Sequence, residues 1–102
     1  MRSRYAAYAM GKARYVMETT DPDSPLYERD ARGWRASILN MSRNMRFVGL
    51  EIFEAGEEGD GGWVHFRAGL RQGGKDASFE EHSLFRRDGS GQWLYSDRRD
   101  LE

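Results

Sequence analysis

The stretch over residues 63–95 constrains the fold most, because its pattern predicts three strands joined by two tight turns. The strand segments alternate in character, as strands with one buried face do; they are WVHFRAGLRQ, ASFEEHSLFRR and QWLYS. The turn segments GGKD and DGSG are rich in Gly and Asp, which tolerate positive φ. We therefore expect a meander of long antiparallel strands.

Helical spacing of apolar residues predicts three helices ahead of this meander, over residues 3–10, 12–19 and 25–44. Ser24 is the expected N-cap of the third helix, with Pro25 at its first position. The apolar stripe of that helix consists of Ala31, Trp34, Ile38 and Met41.

A first strand is predicted over residues 46–55. Alternation places Val48, Leu50 and Ile52 on its inner face and Phe47 and Phe53 on its outer face. In the second strand it predicts an apolar face formed by Val64, Phe66, Ala68 and Leu70. The charged tail over residues 96–102 is expected to fray, and its last two residues could be a cloning remnant.

Helices followed by strands is an α+β order. The helices can bury their stripes only by lying on one face of a curved, antiparallel, four-stranded sheet, which makes a cone with a cavity at its mouth. We expect the whole chain, 1–102, to form a single domain, since 102 residues suffice for a modest core.

Composition excludes several classes of site. The chain has no cysteine, so disulfides and thiolate metal sites are impossible. No apolar run approaches the roughly 18 residues that span a bilayer, so we expect a cytoplasmic protein without membrane contact. Residues 1–46 carry a net charge of +4 and residues 47–102 a net charge of −5. A basic helical half on an acidic sheet half explains this split better than a nucleic-acid surface does.

Glu81 is the most informative single residue, because alternation places it with Phe79, Ser83 and Phe85 on an otherwise apolar face. A buried carboxylate must be paired or protonated. One interpretation is an ion pair with Arg2 or Arg4 that holds the first helix on the sheet. The other is a pocket carboxylate that binds a ligand or acts as a general base.

The cone suggests a set of pocket residues, although core packing is the simpler role for its aromatic members. The candidates are Tyr5, Tyr8, Tyr15, Trp34, Phe66, Glu81, Ser83 and Trp93, and Tyr95 belongs to the same aromatic set.

The outer face of the sheet is expected to carry His65 and His82 as surface residues. Their spacing gives no reason to predict converging metal ligands, and neither a metal nor a cofactor is expected. If Phe47, Phe53 and Trp63 are exposed there, they mark a surface for a protein partner or a second copy, so the chain is a monomer or a homodimer.

Two segments resemble the middle domain of YchJ-type bacterial proteins. The opening MRSRYAAYAMGKARYVMETTDP is similar to the start of that domain, and EEHSLFRRDGSGQWLY is similar to its closing pattern. The resemblance covers nearly the whole chain and implies a fold like that of nuclear transport factor 2 (NTF2), an α+β cone. The chain departs from the pattern at Asp21, where many relatives have His, and at Asp97-Arg98, where relatives tend to have Asp-Gly.

The resemblance implies no established activity. Relatives often carry SEC-C motifs, thought to bind zinc, on both sides of the domain, and none is present here. The sequence favours a non-enzymatic accessory module that binds a small molecule or a protein. The alternatives are a lyase or isomerase that uses Glu81 with Tyr5 or Tyr8, and a structural module that dimerises.

Overall fold

The computed structural model describes residues 1–99 and confirms the α+β order. Its helices are α1 (Arg2–Ala9), α2 (Ala13–Glu18) and α3 (Ala31–Asn44). Its strands are β1 (Arg46–Glu58), β2 (Gly61–Gln72), β3 (Lys75–Asp76), β4 (Phe79–Arg87) and β5 (Trp93–Arg99). Within these residues no helix is long and apolar enough to cross a membrane.

The helices pack on one another through small and apolar side chains. The buried cluster between them consists of Ala7, Ala13, Val16, Trp34 and Ile38. Of the predicted stripe on α3, Trp34 and Ile38 are buried, Met41 is partly buried, and Ala31 is exposed.

The third helix begins at residue 31, so the prediction that it begins at residue 25 is wrong. Ser24 does accept a hydrogen bond from the Leu26 amide, at 3.1 Å, but this closes a turn and not a helix. The N-cap is Asp30, whose carboxylate accepts from the Gly33 amide at 3.1 Å. Asp is a strong N-cap, and here it determines where the helix starts.

The strands form one antiparallel sheet in the order β1-β2-β4-β5, and β3 pairs with the end of β2. The apolar face predicted for β2 is confirmed, since Phe66, Ala68 and Leu70 are all buried. This face lies toward the helices and is called the inner face below.

The first of two bulges in β1 changes the predicted faces at the start of that strand, whereas Leu50 and Ile52 lie opposite the buried Ala68 and Phe66, on the inner face as predicted. The register shifts between Phe47 and Gly49, and again between Ile52 and Glu54. Phe47 pairs with Leu70 and lies on the inner face, so its predicted outer position is wrong. Val48, predicted inside, is the extra residue and is 52% exposed. A bulge adds one residue to one strand and so reverses the alternation that follows it.

The last strand is longer than predicted and is joined to the end of α2. Residues 96–99 continue β5 beside β4 and do not fray, as Arg98 pairs with Ser83. The backbone of Tyr95 accepts from the Asp21 amide at 2.8 Å and donates to the Thr19 carbonyl at 2.7 Å. Residues 100–102, which include the suggested cloning remnant, lie outside the described residues.

Candidate functional site

A cavity of about 280 Å³ lies between the helices and the inner face of the sheet. We call it the cone cavity. Among the residues that line it are Arg4, Tyr5, Tyr8, Leu26, Trp34, Met41, Phe47, Phe66, Leu70, Phe79, Glu81 and Tyr95. Five of the predicted pocket residues, Tyr5, Tyr8, Trp34, Phe66 and Glu81, are therefore brought together here.

Glu81 is the acidic residue of this cavity. It lies on β4 directly across from Phe66 on β2. Its Oε2 accepts two hydrogen bonds, from Ser83 Oγ at 2.6 Å and from the Tyr95 hydroxyl at 2.9 Å. Ser83 is fully buried behind the carboxylate, two residues further on the same face, and thus supports Glu81 without lining the cavity.

The second oxygen of Glu81, Oε1, accepts no hydrogen bond from residues 1–98, the residues whose side chains the structure describes. Among these residues no fully buried side-chain oxygen or nitrogen lacks a partner, so Oε1 is not sealed inside the protein by them. Because Glu81 lines the cone cavity, this oxygen is available to a bound molecule.

Tyr95 lines the cone cavity with other members of the predicted aromatic set, but its hydrogen bond to Glu81 was not predicted. Burial, and then the negative charge of Glu81, raise the pKa of its hydroxyl well above the usual range. The phenol therefore stays protonated and donates to the carboxylate.

The predicted ion pair between Glu81 and Arg2 or Arg4 is not formed in the described part of the chain. Arg2 is exposed. Arg4 is buried, but its Nη1 donates to Thr19 Oγ1 at 2.7 Å, to the Val16 carbonyl at 3.1 Å and to Thr20 Oγ1 at 3.3 Å.

The guanidinium of Arg4 lies over the ring of Tyr95, 4.8 Å from its centroid. Tyr95 thus stands between the two charges, with the cation at its ring and the carboxylate at its hydroxyl. Desolvation lowers the pKa of Arg4 from its usual value, and the nearby tyrosines and Glu81 act against this.

The two tyrosines of α1 differ in what their hydroxyl groups do. The hydroxyl of Tyr5 donates to the Gly69 carbonyl at 3.2 Å and accepts from the Gly49 amide at 2.9 Å. It therefore fixes α1 to the sheet. Burial raises the pKa of Tyr8, which keeps its phenol neutral beside the cavity.

Tyr15 and Trp93 do not line the cone cavity. They line a second, open depression of about 560 Å³ beside α1 and α2, which we call the Trp93 groove. Its lining also includes Ser3, Arg4, Thr19, Ala55, Gly56, Gly62, Trp63, Phe85 and Gln92. Arg4 lines both spaces, as Met1 does.

The outer face of the sheet carries the two histidines, as predicted. Their rings stack with centroids 6.0 Å apart, and His65 Nε2 lies 3.2 Å from Glu80 Oε2. Phe53 packs edge-on against His65 and is 45% exposed. Within residues 1–99, no three acidic, histidine or cysteine side chains converge as metal ligands.

Comparison with known proteins identifies relatives of this fold. Residues 1–98 match the family described as the YchJ, middle NTF2-like domain. A SEC-C motif containing protein from Rhodopseudomonas palustris is 34% identical with a TM-score of 0.84, over 100% of this chain and 76% of that one. One from Psychrobacter arcticus is 22% identical with a TM-score of 0.70, over 98% and 56%. A Mycobacterium tuberculosis LEH-like epoxide hydrolase, 17% identical with a TM-score of 0.62, covers 93% and 69% and is alike in fold alone.

Proposed function

Since the chain belongs to the family of the YchJ middle, NTF2-like domain, we propose that its cone cavity binds a small, largely apolar molecule that donates a hydrogen bond to Glu81. The observation that carries this proposal is the accessible Oε1 of a carboxylate whose other oxygen is held by Ser83 and Tyr95. Two donors on one oxygen fix the orientation of the carboxylate, so the free oxygen is preorganised for a donor.

The size and the walls of the cavity limit the ligand. About 280 Å³ lies near the lower end of the roughly 300–1,000 Å³ that ligand pockets occupy, which suits a molecule with a single ring. The walls are mostly aromatic and aliphatic, with Phe66, Trp34 and Leu70 among them. A neutral or cationic donor suits the carboxylate better than an anion does, because an anion would be repelled by Glu81.

An enzymatic role for the same carboxylate is the second candidate. Glu81 as a general base and Tyr8 as a neutral proton donor would be the pair for a lyase or isomerase reaction, since both line one cavity and the pKa of Tyr8 is raised. Tyr5 is a weaker partner than Tyr8, because its hydroxyl is engaged with the sheet. A structural dimer through the outer face, a protein partner and a cytoplasmic location stay predictions.

Native mass spectrometry of the purified protein, beside a denatured control, is the first test. A non-covalent mass that is lost on denaturation supports a resident ligand. The molecule is then incubated with the protein for a long time and recovered, which distinguishes an enzyme from a binding protein. A ligand that is only bound is recovered unchanged, whereas a substrate is recovered as product.

A defined probe then tests the role of Glu81. Benzylamine is titrated into the protein and followed by backbone amide shifts, with benzyl alcohol as the neutral comparison. We expect Glu81→Gln to keep the fold and to weaken the binding of benzylamine by about tenfold or more. This is the usual effect of losing a charge-assisted hydrogen bond. Glu80→Gln makes the same charge change one residue away on the outer face and should leave binding intact. Equal binding to both variants would contradict the proposal.

A further inference from the structure

We propose that the Trp93 groove is a separate site for an organic carboxylate with an apolar body, anchored by the guanidinium of Arg4. This site is distinct from the cone cavity and does not depend on the function proposed for it. The inference rests on the unused donors of Arg4, on the distribution of charge between the two spaces, and on the lining of the groove.

The donors of Arg4 are only partly used. Its side chain is 8% exposed, and all three of its hydrogen bonds within residues 1–99 come from Nη1. The described residues leave no fully buried side-chain nitrogen without a partner, so neither Nε nor Nη2 is completely enclosed by them. Nε and Nη2 form the planar edge of a guanidinium that matches the two oxygens of a carboxylate.

The charge of Arg4 has no carboxylate in contact. Among the described residues, no acidic oxygen lies within 4.0 Å of it, the distance that defines an ion pair. A desolvated cation held only by hydroxyl groups, a carbonyl and an aromatic ring retains a strong attraction for an anion. A ligand carboxylate would supply the missing partner.

The anion is expected in the groove and not in the cone cavity. In the cavity it would meet the negative charge of Glu81. The acidic residue of the groove is Glu57, which is at the exposed rim and lies 3.5 Å from Arg87 Nη2. An entering carboxylate would therefore be attracted by Arg4 with little opposing charge.

The rest of the groove suits an anion with an apolar body. Ser3 Oγ accepts from the Tyr15 hydroxyl at 2.8 Å, which leaves its own proton free to donate. Trp93 provides the apolar wall, and its indole is held in place by Arg87, whose Cζ lies 4.5 Å above the ring. A phosphate would gain nothing from this wall, so the lining favours an aryl or alkyl carboxylate.

The test is a titration of the full chain with 3-phenylpropanoate and with its neutral amide, 3-phenylpropanamide, followed by ¹H–¹⁵N correlation spectra. We expect the carboxylate to shift the amide signals of Gly56, Gly62 and Gln92, and to bind about tenfold or more tightly than the amide. Equal binding of the two probes, no binding of the carboxylate, or shifts centred on Phe66 and Ala68 would each overturn the proposal.

Variants locate the site independently. Ala55 is exposed and lines the groove, so Ala55→Trp should narrow the groove and abolish binding of 3-phenylpropanoate. Val48→Trp introduces the same side chain on the same strand, at an exposed position that does not line the groove, and should bind as the wild type does. Arg4→Lys keeps the charge without the planar edge and should weaken binding. Circular dichroism checks that each variant is folded. If a variant does not fold, the comparison of 3-phenylpropanoate with 3-phenylpropanamide on the wild-type protein still tests the proposal.

Discussion

Asp21 and Arg86 form a two-point ion pair, with Arg86 Nε 2.7 Å from Oδ2 and Nη2 2.7 Å from Oδ1. The pair joins the turn after α2 to the middle of the sheet, across 65 positions of sequence. Asp21 is buried while Arg86 is half-exposed. Asp21 is therefore a structural link between the helical and sheet halves of the chain.

The first prediction concerns this link. Arg86 lowers the pKa of Asp21, so the folded state binds its proton less readily than the unfolded state does. The stabilisation by the ion pair is complete above the usual pKa of an aspartate, near 3.9. It is lost as the pH falls through the lower pKa that Asp21 has in the folded state. We expect Asp21→Asn to lower the melting temperature at pH 7 by about 5 °C. Asp23→Asn, at an exposed neighbour, should have little effect. A deficit that stays the same at pH 2 would contradict this account.

The second prediction concerns the first bulge of β1. Phe47 packs edge-on against Tyr5, with centroids 5.4 Å apart, whereas the neighbouring Val48 is 52% exposed. We expect Phe47→Ala to lower the free energy of unfolding by about 2 kcal/mol, less than for a fully buried phenylalanine because Phe47 is only half-buried. Val48→Ala should change it by under about 0.5 kcal/mol. Urea denaturation measures both, and the reverse ranking would mean that the strand has the unbulged register.

The third prediction concerns the hydroxyl of Tyr95. Tyr95→Phe keeps the ring beneath Arg4 but removes the donor to Glu81, and we expect a loss of about 1 kcal/mol. The pKa of Tyr95 is higher in the folded state than in the unfolded state. The contribution of its hydroxyl to the free energy of unfolding is therefore complete below the usual pKa of a tyrosine, and it declines as the pH rises toward the pKa of the folded state. Absorbance at 295 nm should show one late-ionising tyrosine fewer in Tyr95→Phe than in the wild type, and the late phase that remains is expected from Tyr8, whose pKa is also raised. Tyr27→Phe, at an exposed position, should retain both late-ionising tyrosines.

The fourth prediction concerns the packing of Trp63. A Cβ added at Gly56 would lie 2.8 Å from atoms of the indole, closer than real contacts allow. Gly56→Ala should therefore displace the ring, change the tryptophan fluorescence and cost about 1–3 kcal/mol. The matched control is Gly49→Ala in the same strand, where nothing lies within 4 Å of the added atom. Equal stability of the two variants would show that the indole moves aside freely.

Much of the architecture follows from periodicity, and the departures have local causes. Alternation correctly places Phe66, Ala68 and Leu70 inside, because β2 pairs with β4 without a bulge. It fails at Phe47 and Val48, because an extra residue shifts the register there; Gly49, next to it, is the kind of strand residue that often marks a bulge. Helix periodicity finds the stripe of α3 but not its start.

The sequence predicts which residues line the cone cavity better than it predicts the hydrogen bonds and ion pairs that these residues form. Alternation isolates Glu81 on an apolar face, and the structure places it in a cavity. The sequence suggests Arg4 as its partner, yet Arg4 bonds to Thr19 and Thr20, whose positions depend on how α2 meets β5. Such contacts between distant segments leave no periodic signal, so they emerge only from the assembled fold.

The bulged strand also bears on how copies of the protein behave when crowded. β1 is an edge of the sheet and 13 residues long, a length at which a straight edge would be a template for further strands. Its two bulges interrupt the row of backbone donors and acceptors, and the exposed carboxylates of Glu51, Glu54 and Glu58 repel a second copy. At the opposite edge, Thr19 and Asp21 occupy the backbone groups of Tyr95. The irregularities of β1 thus make that edge a poor template for an added strand.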